Sequence, residues 1–299
     1  MRPRTGAGGM TVYDLFLAPF ADFGFMRRAL VACLCLGLGS GPIGVFLMLR
    51  RMSLMGDAMS HAVLPGAAIG YLVAGSLSLT AMGLGGLVAG LSVALLSGAV
   101  SRMTVLQEDA SFASFYLASL ALGVLIVSLR GSNIDLLHVL FGTILAIDAS
   151  ALYLIGAITS LTLVTLAVIY RPLVAECFDP GFLRAVGGRG PVHHVLFLLL
   201  VVLNLVASFQ ALGTLMAVGL MMLPAAIAQL WSRSLAVMMA IAASSAAASG
   251  YLGLIASYHL ELASGPTIIM TAAILYAFSI FFAPSGIARR FFPRPHLKG

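Results

Sequence analysis

The sequence predicts an all-α polytopic membrane protein, and three observations carry that prediction. Hydrophobic residues make up 61% of the 299-residue chain and charged residues 9%, with a mean hydropathy of +1.09. Soluble domains carry about 25% charged residues, so this composition does not furnish a water-facing surface. The apolar runs are also unbroken over lengths that cross a bilayer as a helix. A membrane barrel would instead show alternating segments of about ten residues.

Hydropathy read with turn signals divides the chain into ten candidate segments. They lie at approximately 27–49, 58–75, 79–101, 111–130, 134–150, 151–170, 192–211, 213–231, 234–257 and 263–284. Two of them are doubtful as full spans. Segment 134–150 is short and holds Asp135, His138 and Asp148, so it reads as broken or re-entrant. Segment 213–231 contains Pro224, which kinks or truncates a helix. The expected count is therefore eight to ten transmembrane helices.

Charge gives an expected orientation. With ten spans and an internal N-terminus, only Arg50, Arg51 and Arg102 of the 16 basic residues fall outside. That partition satisfies the positive-inside rule. It brings Asp57 and His61 into the membrane from the outer face, below an acidic mouth of Glu108, Asp109, Asp148, His259 and Glu261. Excess carboxylate at a mouth attracts cations, although each such residue also serves as an ordinary interfacial helix cap.

The richest stretch runs from Leu49 to Gly66, Leu-Arg-Arg-Met-Ser-Leu-Met-Gly-Asp-Ala-Met-Ser-His-Ala-Val-Leu-Pro-Gly. Asp57 and His61 stand four apart, so on a helix they share one face. Carboxylate and imidazole together suit divalent transition metals. Ionisable groups in a membrane segment are expensive and mark function. Pro65-Gly66 follows, which bends a helix and frees carbonyls. The structural alternatives are an interhelical Asp–His hydrogen bond or an N-capping Asp57. Asp135 and His138 form a second, weaker pair.

Other features narrow the field. Cys33 and Cys35 lie in the first apolar run and Cys177 is alone, so no disulfide framework is expected. Asp14, Pro19 and Asp22 interrupt the N-terminus, so no cleavable leader is expected. The single lysine is Lys298, which excludes a GxxxxGK[ST] phosphate loop in this chain. HExxH is absent, and no GxSxG elbow has plausible triad partners. The chain is therefore not expected to be an enzyme. In the long polar loop 171–191, Asp179-Pro180 caps a short helix whose apolar face is Phe182, Leu183 and Val186 before Gly187-Gly188 stop it. Such a helix docks onto a protein or lies on the lipid surface.

These residues resemble the integral-membrane permeases of zinc/manganese/iron-type metal ABC transporters. The match opens at Phe25-Met26-Arg27-Arg28-Ala29-Leu30 and continues from Gly44 through Pro65-Gly66, where Gly56-Asp57-Ala58-Met59-Ser60-His61-Ala62 is similar to the family's GDALSHA-like motif with Met59 for leucine. It resumes at Glu108-Asp109, Ala121-Leu122-Gly123, Leu140–Ala146, Gly213-Thr214-Leu215-Met216, Leu223-Pro224-Ala225-Ala226 and Ser264–Ile268. The blocks are collinear over nearly the whole chain.

The resemblance implies an ABC importer permease fold in a bacterial inner membrane, working as a homodimer. Each copy would be bound on its cytoplasmic side by an ATPase subunit, and a separate extracytoplasmic metal-binding protein would deliver the ion. It implies a cytoplasmic arm at 1–24, a permease domain at 25–284 and a basic cytoplasmic tail at 285–299. Within the permease domain, 179–190 looks like the family's coupling segment, with Asp179, Phe182, Leu183, Arg184 and Gly187 facing the ATPase. Asp57 and His61 would hold the transported zinc, manganese or iron transiently. Lipid is the remaining partner, and neither a resident cofactor nor nucleic acid is expected. The competing readings are a proton-coupled secondary cation transporter, with Asp57 and His61 as relay, and a non-transporting scaffold.

Overall fold

The structure is a computed structural model and describes residues 12–75, 79–106, 108–130, 144–178 and 190–287. Two short helices, α1 (Val12–Phe16) and α2 (Ala18–Asp22), precede α3 (Gly24–Leu49), α4 (Ser53–Ala74), α5 (Leu79–Met103) and α6 (Glu108–Arg130). A 3₁₀ turn at Ile144–Ala146 leads into α7 (Ala149–Phe178). Then come α8 (Gly190–Leu212), α9 (Thr214–Trp231), α10 (Leu235–Leu260) and α11 (Ser264–Phe282). Among the described residues there is no strand. Among the described residues six helices are long and apolar enough to cross a membrane. That establishes a multi-pass helical protein, with fewer qualifying spans than the eight to ten expected.

Local chemistry sets the helix ends. The α3–α4 corner is a Schellman turn, in which Met52 N–H donates to the Leu47 carbonyl at 2.9 Å and Arg51 N–H to that of Met48 at 3.0 Å. Arg51 takes the left-handed position of that turn, at φ 59°, where glycine is usual. Gly213 at φ 81° is the single residue between α8 and α9. Pro65 and Pro224 lie inside α4 and α9, which continue past them.

Small residues decide how closely the helices pack. A Cβ on Gly66 would strike the Gly85 carbonyl and lie 2.6 Å from Ala89 Cβ, and one on Gly70 would strike the Ala81 backbone. These pairings run α4 antiparallel to α5. Tyr116, Ser119 and Gly123 of α6 meet His61, Ala62 and Pro65 in the same order, so α6 runs parallel to α4. A Cβ on Gly37 would lie 2.9 Å from Ala246, and one on Gly250 would lie 2.7 Å from Cys33, which sets α10 antiparallel to α3. Between the helices, buried Asn204 donates to Thr162 Oγ1 at 2.7 Å and to the Leu200 carbonyl at 2.9 Å.

These directions give the bundle two ends. At the Gly24 end lie α1, α2, the starts of α7 and α11 and the close of α10. There Tyr251 donates to the Phe16 carbonyl at 2.9 Å and stacks on Phe20. At the Leu49 end lie the start of α4, the close of α7 and the start of α8. The ion pair Arg50–Glu176, at 2.9 Å, joins them. The close of α9 meets the close of α11 at the same end, where Trp231 Nε1 donates to Ser279 at 3.0 Å.

The expected topology is corrected accordingly. The even number of spans placed residues 1–24 and 285–299 together on the cytoplasmic side, but Val12 lies at the Gly24 end and Ile287 at the Leu49 end. It also placed Arg50 outside and residue 176 inside, and the two are in contact. The physical reason lies between α6 and α7. Arg130 and Ile144 stand at the same end, whereas a spanning segment at 134–150 was expected to carry the chain to the other. The body of segment 134–150, with Asp135 and His138, and the coupling residues Asp179, Phe182, Leu183, Arg184 and Gly187 lie outside the described residues.

Gly66→Val should destabilise the bundle by about 1–3 kcal/mol or more through overpacking. Gly98→Ala, where an added Cβ meets nothing within 4 Å, should be neutral or stabilising; thermal melts in detergent compare the two. Val105→Cys and Leu262→Cys, in a background with Cys33, Cys35 and Cys177 replaced by alanine, should react with a membrane-impermeant thiol reagent from opposite faces. Labelling from one face would refute the opposed ends.

Candidate metal site

Asp57 and His61 lie within α4, one and two turns past its first residue, Ser53. The N-cap position is Met52, so the capping alternative for Asp57 does not hold. Asp57 Oδ1 stands 3.9 Å from His61 Nε2, too long for a hydrogen bond. The Asp57 side chain is 65% exposed and that of His61 36%, so both open off one face of the bundle. A tetrahedral ion with ligand bonds of about 2.0–2.2 Å needs donors about 3.4 Å apart. The observed 3.9 Å is about half an ångström beyond that spacing.

The neighbours of this face were not foreseen from sequence. Tyr116 of α6 stacks beside His61, with ring centroids 6.4 Å apart. Pro65 has no amide hydrogen to give the His61 carbonyl. One residue on, Ser119 of α6 donates to the Ala62 carbonyl at 3.4 Å. A Cβ on Gly123 would press on Pro65 at 2.7 Å, so this glycine lets α6 lie against the proline. Among the described residues no group of three or more His, Cys, Asp or Glu side chains could enclose a metal.

The five residues expected to form one outer mouth do not come together. Glu108 and Asp109 open α6 at the Leu49 end, the same end as Asp57. Asp148, His259 and Glu261 lie at the Gly24 end. Asp148 caps α7: its carboxylate accepts from Ser150 Oγ at 2.6 Å and from Ala151 N–H at 2.9 Å. Those two donors hold its carboxyl below the usual range, with Arg28 adding a smaller push in the same direction. His259 Nε2 donates to the Leu15 carbonyl at 3.0 Å and so tethers the N-terminal arm. Glu261 closes α10 in the left-handed conformation, at φ 52°.

A second cluster was missed altogether. The Arg50 guanidinium reaches Glu176 through Nη2 at 2.9 Å and His194 Nδ1 through Nη1 at 3.1 Å. Its Cζ lies 5.2 Å from the centre of the Phe197 ring. Arg50 is 8% exposed and Glu176 14%. The available signal was Glu176, a lone carboxylate near the end of a long apolar run; its partner is remote in sequence.

Comparison with known proteins places this geometry in a family. The model of the ABC 3 transport family matches residues 22–283. The chain is 34% identical over 269 residues to the manganese import system permease protein ScaB of Streptococcus parasanguinis, covering 90% of this chain and 94% of that one. It is 35% identical over 284 residues to the manganese transport system membrane protein MntC of Halalkalibacterium halodurans, covering 94% and 96%. Among solved structures, PsaBC from Streptococcus pneumoniae in complex with Fab aligns with a TM-score of 0.81 and 30% identity, over 94% of this chain and 100% of that one. A family match across nearly the entire chain, on an all-helical bundle with an exposed Asp–His pair, leads to one conclusion: the protein belongs to the ABC 3 transport family, as a metal ABC transporter permease, a multi-pass protein of the bacterial inner membrane and not itself an enzyme.

Proposed function

We propose that this chain is the permease of an ATP-driven manganese importer and that Asp57 and His61 line the ion's path. The carrying observation is the pair itself, two ligand-type side chains one helical turn apart on an exposed face of α4. Manganese is favoured over zinc and iron because the two relatives above are named for manganese. Imidazole and carboxylate alone accommodate all three ions.

The positive-inside rule supports a cytoplasmic Leu49 end. Arg50, Arg51, Arg102, Arg171 and Arg233 lie at or near it, against Arg27, Arg28 and Arg130 at the other. With that orientation the N-terminal arm is extracytoplasmic, and the carrier protein meets the Gly24 end. The ATPase meets the Leu49 end, between α7 and α8. Asp57 and His61 then lie about 6 and 12 Å along α4 from its cytoplasmic start. The pair therefore holds the ion on the inner part of its route, ahead of release, rather than at the outer mouth.

One chain presents two ligands and leaves them open, and weak, incomplete coordination suits conduction. Two copies facing each other would present four, which is the reason for proposing a homodimer. The secondary-transporter reading has no observation in its favour.

Proteoliposomes holding the permease and its ATPase subunit, supplied with the metal-carrier protein, should take up manganese only with ATP in the ATPase-accessible compartment. Uptake driven by a proton gradient without ATP would refute the reading. Asp57→Ala and His61→Ala should each lower uptake by at least about tenfold, since loss of even an outer-shell metal partner costs about 10–100-fold. The permease should still extract and melt as the wild type, because both side chains are exposed. Undiminished uptake in both variants would remove the pair from the path.

A further inference from the structure

The Arg50 cluster joins two parts of the molecule that transport must connect. Arg50 is the last position before the left-handed residue of the α3–α4 corner, about two helical turns ahead of Asp57. Glu176 lies near the end of α7, just before Phe178, and His194 and Phe197 lie in the first turns of α8, which begins at Gly190. The two helices therefore flank the interval 179–189. One guanidinium binds both of them, with Nη2 on Glu176, Nη1 on His194 and its face on Phe197.

The contact is built to be stiff. A guanidinium and a carboxylate that are almost fully buried are held by each other, because either one alone would be an uncompensated charge. Among the described residues Glu176 Oε2 has no hydrogen-bond partner. An aromatic layer lies below: Phe46 of α3 packs edge-on against Tyr170 of α7 at 6.4 Å and Phe197 of α8 at 6.1 Å. On the other side of the corner, the Schellman hydrogen bonds fix α4 to the end of α3. The corner therefore links the bases of α7 and α8 to the base of α4.

We propose that Arg50, through Glu176 and His194, is a positioning residue that transmits movement of the ATPase-facing ends of α7 and α8 to the Asp57–His61 helix. This inference rests on the functional reading above. In this role the Arg50–Glu176 pair neither touches the ion nor docks the ATPase.

The test uses the full permease–ATPase complex in proteoliposomes, with the metal-carrier protein added and manganese as the transported ion. The double variant Arg50→Met with Glu176→Leu removes both charges at similar volume, a replacement that folded proteins commonly tolerate. ATP hydrolysis should stay within about twofold of wild type, while manganese moved per ATP should fall by at least about tenfold, the scale of an ordinary coupling energy. A wild-type ratio in the double variant would overturn the proposal. So would a folded double variant that no longer retains the ATPase, because the pair would then serve docking. Should the double variant fail to fold, Arg50→Lys keeps the charge but loses the fork that spans Glu176 and His194. It should lower the ratio by about fivefold, and an unchanged ratio would again overturn the proposal. A wild-type complex without ATP-driven uptake would overturn the functional reading and this inference together.

Discussion

Direct backbone approach between helices is the constraint on which this structure depends. Lipid tails are as apolar as leucine, so no hydrophobic force gathers helices inside a bilayer, and close van der Waals contact has to do it. Gly66 and Gly70 of α4 against Gly85 and Ala81 of α5 bring two backbones together where any side chain would hold them apart. The same device joins α3 to α10 and lets α6 lie on Pro65. The pose of α4, and with it the direction in which Asp57 and His61 face, follows from these contacts.

Polar groups in the bundle divide by whether they are satisfied. Asn204, Thr162, Ser40 and Thr159 are buried and bonded within or between helices, and they tie the interior together. Arg50 and Glu176 are nearly buried and neutralise each other. Asp148 and His259 are spent on a helix cap and on the N-terminal arm. Asp57 and His61 differ from all of these. Their mutual distance is too long for a hydrogen bond and both are open to whatever fills the space beside α4. An ionisable pair left available in a segment where ionisable groups are costly is the observation behind the proposed ion path.

Positioning the pair near the Leu49 end changes what it can do. A ligand pair at an outer mouth would select ions as they arrive. A pair close to the end where α7 and α8 meet the α3–α4 corner lies on the helix that follows the Arg50 contact. The proximity comes from one residue, Arg50, which is both the close of α3 and the partner of α7 and α8.

The sequence by itself determined the class, the family and the placing of Asp57 and His61 on one helical face. Each of these rests on local information: composition for the helical membrane class, a spacing of four for two side chains on one face, and a contiguous run from Leu49 to Gly66 for the resemblance. Tertiary structure decided direction and partnership. Hydropathy reports that a segment is apolar but not whether the chain returns to the end it left; Arg130 and Ile144 stand at one end of the bundle, and Val12 and Ile287 stand at opposite ends. Nor does any local pattern join Arg50 to Glu176 and His194, which are more than a hundred residues away. That contact exists because the helices between them fold back on one another, and only the packed bundle brings their ends together.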